Sequence, residues 1–127
     1  MAGDAGADAG RLKWLRITAA AQADIDTLLA DSEETFGQET ARRYRLLLNE
    51  ALNRIRSDPE RAGAPSRYGP VSDLRIFPIR LARLRIHSAE RVARPRHVLV
   101  FRLSGDAVVL VRVLHDSMHF PSHLGEV

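Results

Sequence analysis

Ala41, Tyr44, Leu48, Ala51 and Ile55 recur at alternating steps of three and four residues, and Leu47 and Leu52 widen the stripe. That spacing predicts an amphipathic helix. Asp58-Pro59 stops it, because the residue before a proline is pushed out of the helical region. Glu39 with Arg43, and Glu50 with Arg54, add pairs at favourable helical separation. Upstream, Ala21, Ile25, Leu28, Leu29, Ser32 and Phe36 keep helical spacing, while Asp24, Asp26, Asp31, Glu33 and Glu34 lie mostly elsewhere on the wheel. This gives an earlier helix, capped by Thr18 and broken near Gly37. Two helices joined by a glycine form a hairpin whose apolar face needs a sheet to cover it.

Strand patterns flank this pair. Leu12 to Ile17 is short and roughly alternating, with Leu15 and Ile17 on one face. Arg61 to Pro70, rich in Gly, Pro and Ser, reads as a loop. Leu74-Arg75-Ile76-Phe77 and Leu84-Arg85-Ile86 alternate apolar with basic residues, as strands with one solvated face do, and Pro78 confines the first to an edge or a bulge. His97 to Leu103 and Val108 to Leu114 are nearly continuous apolar runs around Ser104-Gly105-Asp106-Ala107, a hairpin signal that makes them the central strands. The expected fold is α+β: an N-terminal strand, an α-hairpin, then a three- to four-stranded antiparallel sheet with both helices on one face. Residues 1–10 read as a flexible tail, and residues 11–127 as a single domain with at most a helical turn after His115.

Composition narrows the chemistry. With no cysteine, a disulfide framework, a thiolate metal site and a cysteine nucleophile are excluded together. The first ten residues carry acids where a secretory signal needs bases, and arginine interrupts every apolar run, so a soluble, cytoplasmic protein is expected. Dividing the chain after Glu60 gives 8 basic and 11 acidic residues before the cut (8 − 11 = −3), and 11 and 5 after it (11 − 5 = +6). The C-terminal part therefore suits an anionic partner, whether RNA, DNA or an acidic peptide. Every base except Lys13 is arginine, whose planar fork suits carboxylate and phosphate.

Several segments in consistent order carry a family likeness. Thr18-Ala19-Ala20-Ala21-Gln22-Ala23-Asp24-Ile25 opens the first helix; Phe36-Gly37 precedes Ala41 and Tyr44; Asp58-Pro59 precedes Gly63. The C-terminal hairpin runs Arg96-His97-Val98-Leu99-Val100-Phe101-Arg102, then Val111-Arg112-Val113-Leu114-His115, then Met118 and His123-Leu124. Over about residues 12 to 124 the chain resembles the RelE/ParE superfamily, on its ParE branch. Two departures stand out: a longer stretch between Leu74 and His97, and His119 where relatives carry an acid after Met118. The resemblance implies the toxin of a type II toxin–antitoxin system. Such a toxin binds DNA gyrase, blocks replication, uses no cofactor, and is neutralised in a hetero-oligomer by an antitoxin with an acidic C-terminal segment.

The arginine series without interleaved acids, together with the C-terminal hairpin, gives a candidate partner-binding set of Arg75, Arg83, Arg85, His97, Arg102, Arg112, His115 and Met118. RelE-like relatives instead cleave messenger RNA on the ribosome, with clustered Lys and Arg and a late Tyr. Here Tyr44 and Tyr68 both precede the central strands and no lysine follows Lys13, which weakens that chemistry. Arg112, His115, His119 and His123 would have to replace those groups, since imidazole serves as acid and base near neutral pH. His115, His119 and His123 beside Asp116 would form a metal-ligand face on a regular helix, but Pro121 opposes such a helix. A third reading is a degenerate toxin kept as an antitoxin-binding module.

Overall fold

The computed structural model describes residues 12–62, 64–65 and 73–118; the expected flexible tail of residues 1–10, the close of the domain to residue 127, Tyr68, His119 and His123 lie outside the described residues. Strand β1 (Trp14–Ile17) leads into α1 (Ala19–Phe36) and α2 (Gln38–Ser57). A short α3 (Pro59–Ala62) and β2 (Ala64–Pro65) precede β3 (Arg75–Pro78), a 3₁₀ helix at Ile79–Arg85 and a 3₁₀ turn at Ser88–Glu90. The hairpin of β4 (His97–Ser104) and β5 (Ala107–His115) follows. The sheet order is β1-β5-β4-β3-β2.

Thr18 caps α1 as its position predicts, accepting the Ala21 N–H at 3.1 Å. Gly37 serves both helices: its N–H closes α1 on Glu33 O at 2.8 Å, and its own carbonyl accepts the Ala41 N–H at 3.2 Å. Its φ of 96° and ψ of 169° lie in a region that only glycine occupies without strain. In α2, Tyr44, Leu47, Leu48, Ala51, Leu52 and Ile55 are all buried. Burial of each large aliphatic contributes about 1.5–3 kcal/mol as an upper bound. The Glu39–Arg43 pair at 3.2 Å is exposed to solvent and contributes little. Packing therefore holds this helix, and the surface pairs only trim it.

Both helices bury their apolar stripes with Phe77, Leu99, Phe101, Val108, Leu110 and Val113 of the sheet. A second cluster joins Leu74, Val98, Val100, Val109, Val111 and Leu114. Along β4 the two clusters alternate residue by residue, which is why that strand reads as a continuous apolar run. In the turn, Gly105 has φ 58° while Asp106 stays at negative φ, the pattern of a type II′ turn matched to strand twist.

Four expectations need correction. The sheet is mixed, because β1 runs parallel to β5 with Trp14 opposite Ala107 and Ile17 opposite Leu110. Only the β2-β3-β4-β5 part is antiparallel. Leu84-Arg85-Ile86 is not a strand: Ile79 and Ala82 are buried one 3₁₀ turn apart, leaving Leu84 76% exposed. Arg61 to Pro70 is not all loop, since α3 extends to Ala62 and Ala64–Pro65 pairs with β3; proline's fixed φ suits the first position of a helix, so Pro59 restarts one after stopping α2. Finally, Phe36 and Ile17 do not reach the core, with Phe36 71% exposed.

Candidate functional site

β5 is one residue out of step with β4 between Val100 and Phe101, a bulge that leaves Val111 as the extra residue. Beyond Leu110 it also loses its parallel partner, because the chain turns away from β1 into α1. The first turns of α1 replace that partner. The Thr18 N–H reaches Leu110 O at 3.1 Å, and Thr18 Oγ1 donates to Val111 O at 2.8 Å. Asp24 Oδ2 accepts the Val113 N–H at 2.9 Å and Arg112 Nε at 2.7 Å, while Oδ1 accepts Arg112 Nη2 at 3.0 Å. The carboxylate thus satisfies a strand edge and pairs with a guanidinium at once. It holds the guanidinium of Arg112 above its ordinary pKa by hydrogen bonding.

At the ends of β4 and β5, His97 and His115 stand opposite each other with ring centroids 5.2 Å apart at 87°. Tyr44, from α2, meets the His97 ring edge-on at 5.5 Å, and its Oη lies 2.6 Å from His97 Nδ1. Burial pushes the phenol up to about 12, against the backbone amides of Arg96 and His97. Burial, reinforced by the neighbouring His115, pushes His97 down to about 4. Near neutral pH both groups are therefore uncharged. The Oη–Nδ1 hydrogen bond joins two neutral groups, each able to donate or accept.

The turn after β5 is tied back on itself. The Asp116 N–H donates to Arg96 O at 2.8 Å, and Arg96 Nη2 lies 3.0 Å from Asp116 Oδ1, which holds that carboxyl below its usual range. His115 Nδ1 accepts the Ser117 N–H at 3.2 Å and lies 2.7 Å from Ser117 Oγ. The Met118 N–H reaches His115 O at 3.0 Å.

These groups floor an open groove of about 920 Å³ between α1, the start of α2, residues 92–96 and the ends of the two strands. Leu28, Phe36, Val92, Val113 and Met118 give it an apolar lining; Asp24 and Asp31 lie along one wall, Arg94 and Arg96 along another. Grooves of this size and lining accommodate an amphipathic segment.

Of the residues expected to bind a partner, His97, His115 and Met118 line this groove, and Arg112 lies behind it on Asp24. The other four do not join them. Arg83 sits in the 3₁₀ helix with Nε on Val92 O at 2.7 Å, and Arg85 is exposed at the end of that helix. Arg75 stands opposite Phe101 and Arg102 opposite Val109, which places them on different faces of the sheet. His115 ends a strand, so it does not begin a helical histidine series with His119 and His123. Among the described residues no group of three or more His, Asp or Glu side chains is placed to hold a metal. Sequence reasoning missed Asp24 and Tyr44 as parts of the site. Asp24 has the form of a solvated acid and Tyr44 that of a core residue; the Asp-aliphatic step in the first helix was the only signal for Asp24.

Residues 15–120 match the model of the ParE toxin of the type II toxin–antitoxin system parDE. Toxin ParE1 of Caulobacter vibrioides is 31% identical over 114 residues, covering 90% of this chain and the whole of that protein. Among solved structures, the chromosomal ParDE toxin–antitoxin system of P. aeruginosa aligns with a TM-score of 0.62 at 20% identity, over 82% of this chain and 96% of that one. The fold of helix hairpin on mixed sheet is thus shared with a ParDE component, and the sequence match runs through both halves of the groove. The chain belongs to the ParE toxin family of type II toxin–antitoxin systems.

Proposed function

We propose that this toxin inhibits DNA gyrase by binding rather than by catalysis, so blocking replication in the cytoplasm. A cognate antitoxin neutralises it by folding an acidic, otherwise disordered segment into the groove. One observation carries the reading: four of the side chains at the groove with acid, base or hydrogen-bonding chemistry are engaged with partners inside the fold. Tyr44 holds His97, Asp24 holds Arg112, Asp116 holds Arg96, and Ser117 holds His115. Ribonuclease chemistry needs a base within reach of a 2′-hydroxyl; of the groups that would supply it, Arg112 is paired with Asp24 and His115 is tied to Ser117. An apolar trough bordered by Arg94 suits a segment carrying both apolar anchors and carboxylates, with the +6 C-terminal part supplying attraction. Family likeness to ParE supplies gyrase as the target.

A gyrase supercoiling assay beside a translating-ribosome mRNA cleavage assay separates this reading from the ribonuclease one. Supercoiling lost with mRNA intact supports binding inhibition. Cleaved mRNA with gyrase unaffected overturns it.

A further inference from the structure

The stretch Leu74 to Arg85 contains four arginines and no acid. Its 3₁₀ helix sorts those residues sharply, because side chains three apart eclipse one another in such a helix. Ile79 and Ala82 form the inner ridge, fully buried in the core with the α2 stripe. Leu81 and Leu84 form an outer ridge, 46% and 76% exposed. Arg80 and Arg85 are exposed beside it and have no carboxylate partner among the described residues.

Hydrogen bonds tie this ridge to the chain around it. Arg83 Nε fixes one side on Val92 O at 2.7 Å, and Arg91 Nε fixes the chain beyond it on Ile86 O at 2.9 Å. Glu90 is clamped by Arg42 and Arg43 at the start of α2. None of residues 79–85 lines the groove. The chain therefore carries a second, separate apolar surface, convex where the groove is concave. A segment that folds on binding needs a concave site to bury its anchors, whereas two leucines projecting from a fixed scaffold suit a pocket already formed on a folded protein.

We propose that the Leu81–Leu84 ridge, flanked by Arg80 and Arg85, is the surface with which this toxin grips its folded target, entering an apolar pocket rimmed by carboxylates. The inference rests on the toxin reading above, but on the ridge rather than the groove. The leucines supply the apolar anchor, and the arginines steer the encounter and reject basic surfaces.

The test uses the full chain, induced in a bacterial host for growth arrest and purified for gyrase supercoiling and gel shift. Leu81→Ser/Leu84→Ser is compared with Trp14→Ser, which removes a side chain of matching exposure, 75%, from the first strand. The expected result is a loss of potency of at least about tenfold for the leucine pair and none for Trp14→Ser, with thermal unfolding unchanged in both. Arg80→Glu/Arg85→Glu reproduces the loss without touching apolar surface, and decides the matter if the serine pair unfolds. Full potency of the folded ridge variants overturns the proposal, as does a DNA or anionic-vesicle interaction abolished by the same changes. If the wild type arrests growth without affecting gyrase, and the ridge variants do not arrest it, the gyrase reading falls and the ridge stands. If wild type and variants inhibit gyrase equally, the ridge alone falls. A wild-type chain that neither arrests growth nor inhibits gyrase overturns both.

Discussion

Asp24 on α1 and Arg112 on β5 meet through two hydrogen bonds, at 2.7 and 3.0 Å, and the same carboxylate accepts the Val113 N–H at 2.9 Å. The pair is mostly shielded from water, with side-chain exposures of 17% and 21%. It ties the first helix to the bulged strand just where β1 stops covering that strand.

Asp24→Ala is expected to destabilise the fold by about 2–3 kcal/mol, because it takes the carboxylate from a largely shielded guanidinium and leaves a strand N–H without its acceptor. Arg112→Met, which keeps the carboxylate on Val113, is expected to cost less. Urea denaturation midpoints at neutral pH check the order. Equal costs for the two variants would show that the backbone bond contributes nothing.

Two positions at the ends of α1 make separate demands. Thr18→Val removes the cap and the bond to Val111 O together, and is expected to cost about 1–2 kcal/mol. Thr18→Ser keeps both. Gly37→Ala meets no neighbour within 4 Å, so its expected cost of about 1–3 kcal/mol comes from backbone strain alone. Thermal unfolding of the three variants tests this, and a stable Gly37→Ala would show that the junction relaxes to negative φ.

Stability should depend on pH through His97. Its pKa falls from 6.5 to about 4 on folding, so between those values the unfolded chain binds more protons than the folded one. Its contribution is fully present above about 6.5 and is lost as pH falls toward 4, below which this slope disappears. Asp116, whose pKa is lowered by Arg96, loses its contribution separately, at more acidic pH. Comparing urea midpoints at pH 7.5 and 5 should give a smaller drop for His97→Phe than for the wild type. Tyr44→Phe should raise the His97 titration midpoint in an NMR titration, since the phenol bonds to the neutral ring.

Phe36 projects into the groove at 71% exposure and contributes little to the core. Phe36→Glu is expected to leave the unfolding midpoint near that of the wild type, while weakening binding of a cognate antitoxin by about tenfold or more. Calorimetric titration checks it. Unchanged affinity would move the antitoxin to another surface.

Much of this arrangement is legible in the residues. The three-four stripe from Ala41 to Ile55 can only be buried one way, and the Gly105 turn fixes the central hairpin. Leu84-Arg85-Ile86 misleads because its alternation of apolar and basic residues fits a strand, although it closes a segment whose apolar residues Ile79 and Ala82, and Leu81 and Leu84, recur every three. Only the tertiary contact of Ile79 and Ala82 with α2 decides between the two patterns. The parallel pairing of β1 with β5 joins segments at opposite ends of the chain, and no local signal marks it. For the site, His97, His115 and Met118 converge as expected of a C-terminal hairpin, but Asp24 and Tyr44 arrive from the helices. Arg75, Arg83, Arg85 and Arg102 scatter because charge composition reports how many arginines there are, not which face they share.

We propose that this ParE-family toxin works by binding gyrase. Titrating the purified chain into a gyrase supercoiling reaction tests it most directly. Supercoiled product is expected to disappear as the toxin is added and to return when the antitoxin is supplied. Undiminished supercoiling at saturating toxin, from a preparation that still arrests growth when expressed, would contradict it.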